Sequence, residues 1–158
     1  MRINNSTNLD DAMLRDITHH SVREWKRVLK WRKNRKPFRV GDIKLATFRN
    51  RRCSYSGRAY YGERRFVVSV GLNSWHCSEG CDRCQTHGHT VYTPKPEAER
   101  IRIAAWITAH EVGHLAVHHA EEYHGRPWTR DGGKSSGGDE EYIDRLAKKF
   151  AATWMAKN

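Results

Sequence analysis

Apolar residues recur every fourth position from the start of the chain: Leu9, Met13, Ile17, Trp25 and Leu29 form one ladder, with Ala12 and Val28 beside it and Ser21 as its polar rung. That period predicts a helix over residues 9–31 with one buried face. Thr7 followed by Asp10 suggests a capping box at its start, and Pro37 ends the segment. From Val40 to Leu72 the period shortens to two. Residues 42–48 alternate with Ile43 and Leu45 on one side; Tyr55, Tyr60 and Tyr61 mark a second short strand, and residues 65–71 a third. Gly57 and Gly62 read as turn points between them. Residues 75–96 hold three Cys, three His and two Pro and read as an irregular insertion, Cys/His-rich over 75–92. A second long helix is predicted from about Lys95 to Glu122, with prolines at its entry and Glu97 and Glu99 in its first turn, where the helix dipole favours acids. A Gly/Ser-rich loop, 125–138, leads to a last helix from Asp139 to Met155, with Ile143, Leu146, Ala147, Phe150, Ala151 and Trp154 on its apolar face. The order is an N-terminal helix, a small three-stranded sheet and two helices, an α+β domain spanning residues 1–158.

Charge adds a partner class. Lys and Arg number 29 against 18 Asp and Glu, a formal charge of +11, which attracts polyanions. Seven of the eleven residues 26–36 are basic, so the N-terminal element 9–36 ends in a cationic tract. With Trp25 and Trp31 that tract has the means to contact phosphates and bases of nucleic acid; a solvated cationic face is the plainer reading, and periodicity puts Trp25 in the core. No apolar run approaches the roughly 20 residues of a membrane span, so no membrane partner is expected. The first residues lack the apolar stretch of a secretory signal. A cytoplasmic protein is therefore expected, in which four Cys serve as thiols or metal ligands.

The sharpest chemical signal is His110-Glu111-Val112-Gly113-His114, H-E-x-x-H inside a segment read as helical on other grounds. Positions i and i+4 of a helix stand one above the other, so both imidazoles can aim at one cation. Glu111 projects beside them, placed to take a proton from a metal-bound water without ligating the metal. Ile103, Ile107 and Val117 share that face, which turns both His inward. A third ligand is needed. A metzincin pattern would require His at position 120 and Gly at 117; the chain has Ala120 and Val117. Glu140 leads the alternatives: Asp144, one turn on, would steady a ligand His through its other ring nitrogen. Glu141 and His124 are the rivals, and an acidic helix start is the bland account of both glutamates.

The H-E-x-G-H helix, the Gly-rich gap and the E-x-x-x-D helix ending Lys149-Phe150-Ala151-Ala152 resemble the gluzincins, in compact form the ImmA/IrrE-like minimal metallopeptidases and related phage-encoded proteins. The likeness covers about the last 95 residues. It implies a minimal zincin fold, a catalytic Zn²⁺ on His110, His114 and Glu140, and a protein or peptide substrate. His124-Gly125-Arg126-Pro127-Trp128 is similar to the third-ligand segment of SprT-like metalloproteases, which act on DNA-bound proteins. Both resemblances imply a strand edge beside the metal that holds extended peptide. Residues 65–71 are the candidate for it, with an ordinary core strand as the alternative.

A second cluster, Cys77-x3-Cys81-x2-Cys84, would suit a structural zinc pinning the insertion, with Cys53, His87 or His89 as fourth ligand; unligated thiols are the rival reading. Two functions thus stand: a zinc peptidase with Glu111 as general base, and a nucleic-acid-associated binding or regulatory protein whose zinc is structural. Neither reading fixes an oligomeric state.

Overall fold

The computed structural model describes residues 1–29, 36–52, 55–77, 90–124 and 140–158. Strand β1 (Arg2–Asn5) leads into helix α1 (Asp11–Val28). Its cap is Asp10 and not Thr7. Asp10 directly precedes the first helical residue, and from an extended backbone its Oδ1 accepts the Met13 N–H at 2.7 Å. Thr7 Oγ1 accepts the Leu9 N–H in the turn before. Leu14, Ile17, Val22 and Trp25 are buried. Ser21 keeps its place among them by donating its hydroxyl to the Ile17 carbonyl at 2.8 Å. The helix ends three residues earlier than its pattern suggested, and residues 30–35 of the basic tract lie outside the described residues.

A short 3-10 turn (Val40–Asp42) precedes β2 (Leu45–Arg51), β3 (Ser56–Tyr60) and β4 (Arg65–Gly71). The sheet has four strands in the order β1-β2-β4-β3, with β1, β2 and β4 parallel and β3 antiparallel on the edge. The additional strand, β1, carries only Ile3 as an apolar residue and so gives no alternation to read; pairing with β2, from Arg2↔Leu45 to Asn5↔Phe48, recruits it. The inward residues of β2 are Ala46 and Phe48, the opposite parity from Ile43 and Leu45. Ile43 is buried too, but it caps the 3-10 turn and lies outside the strand register. The strand over 65–71 forms as predicted and is interior; among the described residues the sheet's edges are β1 and β3, and β3 is the edge beside His110 and His114.

The ends of the Cys/His-rich insertion are ordered as an antiparallel hairpin, β5 (Asn73–Cys77) with β6 (Thr90–Pro94). Helix α2 (Glu97–His124) and helix α3 (Glu140–Met155) complete the chain. α2 packs against α1 and α3 and against β3 and β4. A helix covered on both sides must be apolar nearly all round; Ile103, Ala104, Val112 and Val117 are fully or almost fully buried. No described helix is long and apolar enough to cross a membrane.

His20 of α1 is buried against α3, with Nε2 3.1 Å from the Phe150 carbonyl oxygen. Burial lowers its pKa; the Phe150 carbonyl and Glu24 oppose this, while Arg23 and Lys157 add to it. The folded state therefore favours the neutral ring. This contribution to stability is complete above the unfolded pKa of about 6.5 and is lost as pH falls towards the lower folded value. Denaturant midpoints measured from about pH 7.5 down to pH 5 should fall more steeply for the wild type than for His20→Gln, which keeps an amide donor for Phe150 but does not titrate. Equal slopes would show that His20 does not bind its proton differently on folding.

Candidate metal centre

The helical spacing of α2 puts His110 and His114 on one face, and the first turn of α3 brings a carboxylate to them. His110 Nε2 lies 3.0 Å from Glu140 Oε2 and 3.1 Å from His114 Nε2, and His114 Nε2 lies 3.2 Å from Glu140 Oε1. Two ring nitrogens and both oxygens of one carboxylate thus converge, an arrangement that suits a cation. Ligands on a tetrahedral ion at 2.0–2.1 Å would stand about 3.3–3.4 Å apart, so the donor set fits a metal ion with little rearrangement. His110, His114 and Glu140 are a group that could hold one. Glu141, one residue on, is exposed and outside this group.

Behind His110 stands Asp144, with Oδ1 3.6 Å from Nδ1. That is an electrostatic approach rather than a hydrogen bond. Asp144 is itself held by Trp106 Nε1, which donates to Oδ1 at 2.8 Å, and by Lys148 Nζ at 2.7 Å from Oδ2. Burial raises its pKa, but those two hydrogen bonds and the charges of Lys148 and His110 outweigh burial, and the net shift is downward. Asp144 therefore stays ionised behind the imidazole, where a ligand His would be steadied through its other ring nitrogen.

Glu111 is buried but is not one of the three donors. Burial, then the neighbouring Glu140 charge, pushes its pKa up to about 7, and a hydrogen bond from the Ala59 N–H pulls the other way. A cation on the adjacent donors would lower it again. Gly57 read as a turn from sequence, yet it lies within β3, where a Cβ would overlap the Glu111 carboxylate. Its missing side chain is what lets Glu111 reach the strand.

These groups line a cleft of about 380 Å³ between β3, α2 and the start of α3. β3 forms one wall through Ser56 to Ala59, while Tyr55, Tyr61 and Trp106 add aromatic surface that sequence reasoning did not assign to the site. Tyr61 is fixed by stacking on His118, with ring centroids 4.4 Å apart and planes within 10°. Burial, then the charges of Glu111, Glu140 and Glu121, raises its pKa, so its hydroxyl remains a proton donor. His118, His119, His124 and Tyr142 are near enough to the motif in sequence to compete for such a role. Among the described residues His118 supports Tyr61, His119 packs against Phe38, and Tyr142 packs on the hydrophobic core.

Cys53, Cys81 and Cys84 lie outside the described residues, as do the side chains of Cys77 and His124. The pairing of Cys77 with Thr90 places the first cysteine at the mouth of the β5–β6 hairpin. No protein-family model, curated protein or solved structure matches this chain.

Proposed function

We propose that this protein is a zinc-dependent metallopeptidase of the minimal gluzincin type, with His110, His114 and Glu140 as ligands and Glu111 as general base. The observation that carries the reading is the division of labour among the acids: Glu140 joins the two His as a donor, while Glu111 faces the same cleft outside the donor set. Zinc bound there would supply an acidic water and a Lewis acid for the scissile carbonyl. Glu111 would accept the water proton and pass it to the leaving amine. Tyr61 would offer its hydroxyl to the developing oxyanion. The open edge of β3 supports a peptide substrate, because an extended chain can add to a free strand edge and be aligned along the cleft. Glu140 as third donor favours the gluzincin resemblance over the SprT-like one.

Elemental analysis of the purified full chain tests the ligand set. His110→Ala and Glu140→Ala should each lower zinc content by about one equivalent relative to wild type, and Glu141→Ala should leave it unchanged. Counting losses relative to wild type keeps any zinc on the cysteines out of the comparison. Unchanged zinc in folded His110→Ala protein would remove the proposal.

A further inference from the structure

The sheet face turned away from α2 carries a second groove, of about 520 Å³, lined among the described residues only by β2, β3 and β4. Register and side-chain size explain its shape. Outward rows run Arg49↔Ser69↔Ser56 and Thr47↔Val67↔Arg58, so small residues of the interior strand make a floor between arginines on either side. Arg51 closes one end and Arg65 the other. Arg49 Nε donates to Ser69 Oγ at 2.8 Å, and an Arg51 guanidinium nitrogen donates to Ser56 Oγ at 3.2 Å. These partners orient the guanidinium groups without neutralising them. Glu63 pairs with Arg65 from the β3–β4 turn, and among the described residues no Asp or Glu lines the groove.

We infer that this arginine-walled sheet face binds the phosphate backbone of nucleic acid. Arg51, opposite Gly71, and Arg65 stand six residues apart along β4, about 20 Å; a run of several phosphates matches that length better than a single one. An acidic protein fits less well, because stable protein interfaces need an apolar centre, and this groove offers only Val67 and a half-buried Tyr60. Arg65 already covers one face of Tyr60, with its guanidinium carbon 3.7 Å from the ring centroid. That leaves backbone charge rather than base stacking as the main attraction, so binding should be indifferent to sequence. Ser56, Gly57 and Arg58 line both this groove and the metal cleft, which sets the two surfaces back to back across one edge strand. The inference does not depend on the peptidase reading.

Fluorescence anisotropy of the full-length, metal-loaded protein with a labelled oligonucleotide of about 20 nucleotides, at about 50 to 200 mM salt, tests it. If four arginines engage a single strand, log K should fall with log salt with a slope of about −3. Arg49→Glu/Arg58→Glu should weaken binding by about tenfold or more and lower the slope by at least about 1. Lys26→Glu/Arg27→Glu makes the same change in net charge on α1 and should cost no more than about threefold. The milder Arg49→Gln/Arg58→Gln, with folding verified by circular dichroism, should follow the charge reversal. Four results would overturn the inference: no binding by wild type, equal losses from both pairs of reversals, a larger loss from the α1 pair, or poly-glutamate or anionic vesicles bound as tightly as the oligonucleotide.

Discussion

Glu111→Gln is expected to cut peptide hydrolysis by about 10²–10⁴-fold while leaving zinc content and folding unchanged. The substitution preserves shape and still offers an oxygen to the Ala59 N–H that holds Glu111. What it removes is, among the described residues, the one buried carboxylate of the cleft outside the donor group. Glutamine cannot take a proton from water, so the loss should appear in kcat with little change in KM. His110→Ala should also abolish turnover, but with loss of metal, and that contrast separates proton transfer from ligation. Full activity in metal-replete Glu111→Gln would remove the general-base assignment even if the ligand set stood. Retained metal with no hydrolysis by wild type across varied peptides would instead leave a binding protein.

The features legible in the sequence are those whose information is local. The 3.6-residue period exposes α1 and α3, the prolines and first-turn acids mark the start of α2, and the H-E-x-x-H spacing fixes which two imidazoles meet, because a helix converts a separation of four into one face. Glu140 could only be favoured over Glu141 and His124, since the intervening loop does not reveal where α3 docks on α2. Long-range pairing hides the rest. β1 is a strand because β2 lies beside it, and β3 is an edge because β4 pairs with both β2 and β3. Gly57 illustrates the cost of that blindness. In one dimension it resembles a turn, but its role comes from a carboxylate 54 positions away that approaches too closely for any side chain. Trp106 was likewise silent, because its hydrogen bond to Asp144 joins two helices.

The same logic makes Gly113, the glycine inside the H-E-x-G-H motif, a strong stability determinant. Gly113→Ala would ordinarily stabilise a helix by about 1 kcal/mol. Here the added Cβ would stand 2.5 Å from Trp25 Cζ2 and 3.0 Å from Ile143 Cγ2. The indole cannot easily retreat: it is fully buried, donates Nε1–H to the Ala109 carbonyl at 2.7 Å, and meets Phe150 edge-on at 5.4 Å. Overpacking costs about 1–3 kcal/mol, and stranding the indole N–H costs about 1–3 kcal/mol more. Against the gain in helix propensity, a net loss of about 1–5 kcal/mol is expected, which at the middle of that range lowers Tm by about 6–12 °C. Trp25→Phe shortens the ring and removes the stranded donor, so Gly113→Ala should cost at least about 1 kcal/mol less in that background. Additive effects, or a stabilised single variant, would show that Trp25 does not press on this turn. Gly113 lies between Glu111 and His114, so Trp25 presses on the same turn that carries both. A residue of the N-terminal helix thus packs directly behind the motif, and if zinc binds as proposed the loss of stability in Gly113→Ala should be accompanied by weaker zinc retention.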